Sequence, residues 1–375
     1  MTDVVTRVSS ATDNLAGWLY RRVPKPRVVA STGLPSRPRR VLVFTKGENA
    51  SFDYYLAARL KAFGLPYETC CIDTGRFADI DPEGLLVIIC RYLRRPHASW
   101  IARNRRSLAG VAYFVDDDIP ALAADKQSGL GYRFYLAYFA GLPMIRLNRG
   151  LLTHLWVSTA ALARTMAPGE AEILAPAPII EDHLPRDRPG TQSPLKIVYH
   201  ATGSHHREHA FLIPVMKEVL RQRPAARFEV LAKGSAARLW RDAAIPDGRM
   251  RILPPMGWPR YYRHSREEGA DIALMPLMEG LANDSRADTK LIDCCRMGAA
   301  AVLSDTIPYR HHRNSGCVMV GNSHGQWIET LLALIDNVDR RDAAIEATRK
   351  RVLSMTVSKE PFPRICGPKD NRAAA

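Results

Sequence analysis

The stretch NDSRADTKLIDCCRMGAAAVLSD, residues 283–305, decides how the rest of the chain is interpreted. Apolar residues recur in its middle at about helical spacing, and a helix over this part would end at Gly298. Ser285 or Asp284 would cap the start of that helix. Residues 299–303 form a short, continuously apolar run that is typical of a buried parallel strand. The stretch therefore predicts a helix that leads into a strand of a parallel sheet.

Three charged residues of this stretch fall on one face of the predicted helix. Arg286, Lys290 and Asp293 lie at positions i, i+4 and i+7. Two cations in the first turns oppose the helix dipole unless an anion lies among them. A bound diphosphate would accept hydrogen bonds from the two cations, and Asp293 would accept bonds from a ribose. The alternative is a solvated face with a Lys290–Asp293 ion pair worth about 0.3 kcal/mol.

This block resembles the donor-site segment of GT-B glycosyltransferases of the bacterial retaining type. That family has a basic residue, a lysine four positions on and an acidic residue three further, which match Arg286, Lys290 and Asp293. The resemblance implies that the basic pair holds the donor diphosphate and that the acid holds the ribose. Two departures are visible, because Asp293 replaces the usual glutamate and Ser285 stands where the wider family has a second carboxylate.

The composition limits the classes of protein that fit. The chain has 375 residues, of which 46% are hydrophobic and 24% charged, as expected for a soluble protein of two domains. Its net charge of +15 predicts an anionic partner, which could be a nucleotide, a nucleic acid or an acidic membrane surface. Seven cysteines without a CxxC pattern fit a reduced, cytoplasmic compartment. The sequence lacks a long apolar run and the apolar core of a signal peptide.

Strand–helix alternation occurs twice along the chain. The first series begins at VLVFT (41–45) and the second at LKIVYH (195–200), with the proline-bearing segment 183–194 between them. Short apolar strands alternating with helices predict parallel sheets covered on both faces. Together with the resemblance, which implies the GT-B fold, this pattern leads us to expect an α/β architecture of two Rossmann-like domains facing a cleft. Its parts would be a basic arm over 1–40, an acceptor domain over 41–190, a nucleotide-sugar donor domain over 191–355 and a tail over 356–375.

The segment VAYFVDDDIP places three carboxylates after a predicted strand of the first domain. Asp116, Asp117 and Asp118 lie where open α/β sheets bind ligands. They could hold a divalent metal, act as a base or order the loop through Asx turns. Similar segments occur at this place in the resembled family. We interpret Asp116 as structural, Asp117 as an acceptor-side residue and Asp118 as a catalytic candidate.

The loop after the first strand provides the other acceptor-side candidates. Lys46, Glu48 and Asn49 follow VLVFT directly, at the strand end that would face the cleft. Only one glycine, Gly47, is present, so the loop is not a dinucleotide-binding fingerprint.

The turn ATGSHHRE opens the second domain. Gly203 and Ser204 lie between strand and helix, where backbone amides can point at a phosphate or a sugar. The resemblance matches Gly203, Ser204, His205 and Glu208 to a donor-binding turn. It also matches Lys233 to a further basic contact with the donor phosphate.

Four histidines lie in or next to the same turn, so a zinc site is an alternative. The four histidines are His200, His205, His206 and His209. Neither a cysteine nor a suitably spaced carboxylate completes a ligand set around them. We therefore predict no metal and no other cofactor.

The N-terminal arm is strongly basic. Residues 1–40 carry eight Lys and Arg against two Asp, and the WLYRR run at 18–22 places aromatic residues beside cations. An amphipathic helix here would suit an interfacial anchor on anionic lipid. The alternative is a helix packed on the domain or a disordered arm.

These predictions together describe a hexosyltransferase-type glycosyltransferase of class EC 2.4, working in polysaccharide biosynthesis. It would transfer a sugar from a nucleotide-sugar to a glycan, lipid-linked or cell-surface polysaccharide acceptor, with Arg286 and Lys290 stabilising the leaving diphosphate. We expect it in the cytoplasm or peripheral on the inner face of the cell membrane. The alternatives are a catalytically silent GT-B binding or assembly protein and a nucleotide-sugar epimerase. Nucleic acid is not expected as a partner, because no recognisable binding motif is present.

Overall fold

The computed structural model describes residues 25–28, 37–125, 130–167, 169–185, 194–201, 205–246 and 248–365. The chain divides into two compact units, one of Met1–Pro176 with Val357–Ala375 and the other of Ala177–Thr356. The boundary thus lies before the predicted one at residue 190. Phe362 explains why the end of the chain belongs to the first unit, because its ring packs 5.3 Å from that of Phe63 and 4.9 Å from that of Trp156.

The first unit contains a six-stranded sheet in the order β2-β1-β3-β4-β5-β6. Every neighbouring pair is parallel, and Val41 of β1 pairs with Tyr67 on one side and Leu86 on the other. All residues of β3 and β4 are buried, as their continuous apolar runs predict. The strands are β1 Arg40–Thr45, β2 Tyr67–Cys71, β3 Leu85–Cys90, β4 Gly110–Val115, β5 His154–Val157 and β6 Glu172–Ile173.

Helices connect these strands. A π-helical turn over Phe52–Leu56 precedes the first of them, and a second π-helical turn over Ala137–Gly141 joins two others. The helices are α1 Ala57–Phe63, α2 Arg95–Asn104, α3 Ile119–Ala124, α4 Leu130–Leu136, α5 Leu142–Leu147 and α6 Ala160–Met166.

The second unit contains another six-stranded parallel sheet, in the order β12-β11-β10-β7-β8-β9. Two parallel sheets in one chain confirm the α/β prediction. The strands are β7 Lys196–His200, β8 Arg227–Leu231, β9 Met250–Leu253, β10 Ile272–Met275, β11 Ala300–Ser304 and β12 Val318–Val320.

The helices of the second unit cover this sheet. Trp240 and Trp327, both fully buried, belong to one hydrophobic cluster with the inner residues of the strands. Two 3-10 helices, Ile180–His183 and Ile307–His312, complete the unit. The α-helices are α7 His206–Gln222, α8 Gly234–Asp242, α9 Trp258–Glu268, α10 Leu281–Asp284, α11 Lys290–Arg296, α12 His324–Asp336 and α13 Val338–Leu353.

The stretch 283–305 is only partly as predicted. Helix α11 begins at Lys290, so Arg286 lies in a loop and does not share a helix face with Lys290 and Asp293. Neither Ser285 nor Asp284 caps α11, because Asp284 ends the separate short helix α10. The predicted turn at Gly298 is confirmed by its φ of 65°, a conformation that favours glycine. Strand β11 follows at Ala300, one residue after the predicted start.

None of the helices in the described ranges is both long enough and apolar enough to cross a bilayer.

Candidate functional site

The candidate donor residues of the second unit lie at the carboxyl ends of its central strands, where parallel α/β sheets bind ligands. His205 follows β7 and precedes α7, and Lys233 follows β8 at the N-cap of α8 with its side chain exposed. The loop that carries Arg286 follows β10. Gly203 and Ser204 fall outside the described residues, so their assignment stays a prediction.

Arg286 is positioned by a hydrogen-bonded chain that ends on a buried carboxylate. Its Nε atom donates to Asn283 Oδ1 at 3.0 Å, and Asn283 Nδ2 donates to Glu208 Oε1 at 2.9 Å. The same Glu208 oxygen accepts from the Met278 amide at 3.0 Å. Helix α7 is thereby connected to the loop after β10, and the loop holds the guanidinium group of Arg286.

Glu208 and His205 form a neighbouring pair in which the pKa values of both groups are lowered. Burial alone would raise the pKa of Glu208, but the neighbouring His205 and the hydrogen bond from the Met278 amide lower that pKa from 4.5 to about 2. Burial, with the charge of Arg286 as the next cause, lowers the pKa of His205. At neutral pH the pair therefore consists of a carboxylate and a neutral imidazole, with 3.6 Å between Glu208 Oε2 and His205 Nδ1.

Lys290 is anchored at the end of β7. Its Nζ atom donates to the carbonyl oxygen of His200 at 2.7 Å and lies 3.9 Å from Asp293 Oδ2. Its side chain remains 37% exposed, so part of it can be reached by a ligand. The predicted Lys290–Asp293 ion pair is therefore present at the edge of contact distance.

Asp293 is engaged by a buried arginine. Its Oδ1 atom accepts a hydrogen bond from Arg296, whose side chain is fully buried. Arg296 also donates to Ser265 Oγ at 2.8 Å and to His183 Nδ1 at 2.9 Å, and it lies over the ring of Tyr262. The structure thus gives Asp293 a structural partner that the sequence analysis missed, and its contact with a ribose stays a prediction.

The imidazole of His183 acts as a neutral acceptor in this group. Burial and, next, the charge of Arg296 lower the pKa of His183 to about 3. A neutral ring can accept the hydrogen bond from Arg296, whereas a protonated ring would repel it. This contact also explains why residues 180–183 belong to the second unit.

Histidines near this site are distributed among different partners. His209 Nδ1 accepts from Trp240 Nε1 at 2.8 Å, and burial lowers the pKa of His209 to about 4. His200 Nε2 lies 3.1 Å from Glu229 Oε1, and His264 Nε2 lies 2.9 Å from the same oxygen. His200 and His209 therefore have different hydrogen-bond partners, although they are close in sequence.

Two groups of described residues have the ligand atoms that a metal ion would need, namely His200, Glu229 and His264, and Asp288, His311 and His312. In each group the carboxylate already forms an ion pair with a cationic side chain. Lys196 Nζ lies 3.3 Å from Glu229 Oε2, and Arg351 Nη2 lies 2.8 Å from Asp288 Oδ2. Positive charges at these distances disfavour a bound metal ion. We therefore continue to predict that the protein needs no bound metal ion.

In the first unit, Arg91 contacts polar residues that follow strands β1 and β4. Its Nη2 atom lies 2.8 Å from Asp117 Oδ2, and its Nε atom lies 3.1 Å from Asp116 Oδ1. Its Nη1 atom donates to Ser51 Oγ at 3.1 Å. Arg91 was missed by the sequence analysis, although its place directly after the apolar run LLVIIC marks it as a strand-end residue.

The structure gives Asp118 a helix-capping role, and its catalytic role stays a prediction. Its carboxylate accepts a hydrogen bond from the Ala121 amide at 2.9 Å and caps helix α3, and the residue is only 1% exposed. An aspartate in this geometry satisfies a free amide of the first helical turn. Asp118 has this capping role because a helix begins directly after the third residue of the DDD segment.

The three loop residues after β1 have different surroundings. Lys46 Nζ lies 4.2 Å from the ring centroid of Tyr135 and 4.3 Å from that of Phe139. Asn49 Oδ1 accepts from the Phe52 amide at 3.0 Å and so helps to start the following helical segment. Glu48 is exposed. Lys46 and Glu48 therefore remain the accessible candidates on this side.

Comparison with known proteins identifies the architecture. No protein-family model matches the sequence, and no curated protein matches it. A glycosyltransferase from Rickettsia africae is similar with a TM-score of 0.54 and 10% identity, over 85% of this chain and 94% of that one. WaaG, a glycosyltransferase involved in lipopolysaccharide biosynthesis, is similar with a TM-score of 0.53 and 13% identity, over 86% of this chain and 97% of that one.

TarM of S. aureus is a longer protein than this chain. It is similar with a TM-score of 0.48 and 12% identity, over 73% of this chain and 53% of TarM, so the chain spans about half the length of TarM. At the identities found for WaaG and the Rickettsia enzyme, the likeness shows the fold. The GT-B architecture predicted from the sequence is thereby confirmed.

Proposed function

We propose that this chain is a glycosyltransferase that binds a nucleotide-sugar donor on its second unit. The observation that carries the proposal is the placement of Arg286 and Lys290 beside His205 at the carboxyl ends of β7 and β10. Buried Glu208 orients Arg286 through Asn283, and the His200 carbonyl orients Lys290. A guanidinium group held in place before an anion arrives loses less conformational entropy on binding, and its hydrogen bonds to phosphate are charge-assisted and strong.

The chemistry of sugar transfer suits these two cations. Negative charge grows on the diphosphate as the bond to the sugar breaks, and preorganised positive groups stabilise that charge. Arg286 offers a planar fork of donors and Lys290 a compact ammonium group. Because the charge is largest in the transition state, the pair should affect turnover at least as strongly as donor affinity. No metal ion is required to supply the charge.

Lys233 and His205 would complete the donor site. Lys233 is exposed after β8 and adds a third cation to the same edge of the sheet. His205 is buried and neutral, so its ring would face a sugar or nucleotide without repelling the two cations. Gly203 and Ser204 would contribute backbone amides from the turn before His205.

The first unit would hold the acceptor, which we propose to be a glycan, a lipid-linked sugar or a cell-surface polysaccharide. Lys46, Glu48 and Asp117 lie at the carboxyl ends of its strands, where this fold binds ligands. The protein would act in polysaccharide biosynthesis, in the cytoplasm or peripherally on the inner face of the cell membrane. Residues 1–24 of the basic arm lie outside the described residues, so their membrane contact stays a prediction.

One observation favours a second candidate function, a catalytically silent binding or assembly protein of the same fold. Ser285 stands where the wider family has a carboxylate, and it is buried with its hydroxyl donating to the Ala282 carbonyl at 3.2 Å. Asp293 is likewise held by Arg296. A protein of this kind would bind the nucleotide-sugar without turning it over.

A panel of UDP-, GDP-, ADP- and CMP-sugars tests the proposal. A donor that binds the folded chain raises its melting temperature by mass action. The preferred donor should then be hydrolysed slowly, or its sugar transferred, in a product assay. Binding without turnover would support the silent protein, and the absence of both binding and turnover would contradict the donor site.

A further inference from the structure

The helical segment 130–147 of the first unit exposes a stripe of large apolar side chains. The stripe consists of Phe134, Tyr138, Leu142 and Ile145, whose exposed fractions range from 50% to 73%. Their spacing of four, four and three residues keeps them on one side of a helix. Four large apolar residues on one exposed helix face form a continuous patch, which is different from the scattered apolar residues common on protein surfaces.

The opposite side of the same segment is also apolar and is buried. Leu136, Ala140, Met144 and Leu147 repeat the spacing of the stripe two residues later, and none is more than 6% exposed. Two residues correspond to about 200° around a helix, so the two sets lie on opposite faces. The buried face packs into the first unit. The other face stays exposed, although a helix that is apolar on two opposite faces is normally buried in protein or lipid.

The sequence in and around the stripe carries charge of a single sign, and the nearby Asp73 is paired with Arg94 and Lys46. The sequence contains no Asp or Glu from Lys126 to Gly169, and Arg146 and Arg149 are exposed at the end of the segment. Helix α2 is joined to this segment by a hydrogen bond from Arg146 to Ser99. Four more exposed arginines lie on α2 or directly after it, namely Arg95, Arg103, Arg105 and Arg106.

We propose that this stripe is a docking surface for an anionic lipid bilayer. Apolar side chains would enter the boundary between headgroups and acyl chains, while the arginines would contact the headgroup phosphates. Tyr138 suits that boundary, because its ring is apolar and its hydroxyl is polar. The stripe from Phe134 to Ile145 is about 16 Å long at the helical rise, so the segment would lie in the plane of the interface.

Charge favours a bilayer over a second copy of the chain. A symmetric dimer through the stripe would place the same surface against itself, and thus arginines against arginines. Like charges facing each other across an interface disfavour association, whereas an anionic bilayer provides both apolar and negative groups. This inference concerns a surface of the first unit, and it does not depend on the proposed transfer reaction.

The stripe lies close to the acceptor-side residues of the same unit. Tyr135 and Phe139 belong to the helical segment, and both rings contact the ammonium group of Lys46. A bilayer bound at the stripe would therefore lie beside the strand ends at which an acceptor is proposed.

Flotation with lipid vesicles tests the proposal on the full chain. The wild-type protein should float with vesicles of equal phosphatidylglycerol and phosphatidylcholine, and much less with phosphatidylcholine alone. Leu142→Glu should lower the partition coefficient roughly 10- to 100-fold, because one inserted leucine is lost and a charge is added. Phe134→Gln should lower it as well. Raising the salt from about 0.1 M to about 0.5 M should weaken binding of the wild-type protein.

Val338→Glu is the matched control, since Val338 is 51% exposed and lies at the start of α13 in the second unit. It should bind vesicles like the wild-type protein, and melting curves should show all three variants folded. Wild-type affinity in both stripe variants would overturn the proposal and leave other parts of the chain, such as the arm, to explain vesicle binding. A wild-type protein that binds neither kind of vesicle, or a dimer that only Leu142→Glu dissociates, would also overturn it.

Discussion

Glu208 and Asn283 are joined by a 2.9 Å hydrogen bond between Glu208 Oε1 and Asn283 Nδ2, although 75 residues separate them in sequence. Glu208 lies in the first turn of α7, and Asn283 lies in the short helix α10. Asn283 in turn accepts the hydrogen bond from Arg286 Nε. A buried carboxylate thus determines where the loop places a cation that we assign to donor binding.

The charge of Glu208 should make stability depend on pH. The folded state lowers the pKa of Glu208 from 4.5 to about 2, so the carboxylate stabilises the fold above its unfolded pKa. That contribution, about 3 kcal/mol, should be lost as the pH falls from about 4.5 to about 2. The Glu208→Gln variant lacks this contribution to stability at every pH. Urea unfolding of both proteins between pH 7 and pH 3 should show a difference in unfolding free energy that narrows as the pH falls, and a constant difference would contradict the assignment.

Asn283→Ala should release Arg286 without removing its charge. We expect donor affinity to fall by roughly 5- to 10-fold, because one hydrogen bond to a charged group is lost and the guanidinium becomes mobile. Asn104→Ala is a matched control, since Asn104 Nδ2 donates to the Trp100 carbonyl at 3.0 Å in the first unit. Titration calorimetry with the preferred donor compares the two. Equal affinities in both variants would mean that Asn283 does not position Arg286.

Asp293→Asn separates the two roles considered for this carboxylate. If its main partner is the buried Arg296, the substitution leaves a buried cation without its counter-ion, and the unfolding free energy should fall by about 3 kcal/mol. If its main role is to bind a ribose, donor affinity should fall at least as strongly as stability. Asp305→Asn provides a control, because its ion pair with Arg313 is exposed and should change stability by less than about 1 kcal/mol. Chemical unfolding and calorimetric titration of both variants distinguish the roles.

The sequence predicted the parallel sheets because buried parallel strands leave a visible pattern. The runs VLVF, LLVIIC and AAVL are continuously apolar, and all three lie in strands of the structure. Strand ends were therefore located well enough to find Lys46, His205 and Lys233 at one edge of each sheet.

The predicted start of helix α11 was wrong, because contacts with residues distant in sequence determine where the helix begins. Residues 286–289 stay in a loop, and Asp288 within it is held by His312 and by Arg351, which lies 63 residues further along the chain. The capping role of Asp118 could not be singled out from the sequence, because a carboxylate after a strand has the same local sequence whether it caps a helix or faces a ligand. The partner of Asp293 could have been suspected, since Arg296 follows it at i+3 on the same helix.

Arg286 and Lys290 carry the most direct prediction. If they bind the donor diphosphate, each makes charge-assisted hydrogen bonds worth about 1.5–3 kcal/mol. Replacing either residue by alanine should weaken donor binding by roughly 10- to 150-fold and lower turnover at saturating donor. Arg286→Lys should recover part of the effect, because the charge remains while the planar fork is lost. Stability should change little in Arg286→Ala, since Arg286 lies in a loop, whereas Lys290→Ala should lose about 1–2 kcal/mol with its hydrogen bond to the His200 carbonyl.

Arg221→Ala is the matched control for these variants. Arg221 is an exposed cation near the end of α7, about 22 Å along the helix from the turn that contains His205, and it pairs with Glu218. Its removal lowers the net charge by the same amount but should leave donor affinity unchanged. Calorimetric titration of the donor into all four variants distinguishes donor binding by these cations from a solvated surface. If the alanine variants at 286 and 290 bind like the control, the cations belong to a solvated surface, and the donor site must be sought elsewhere on the chain.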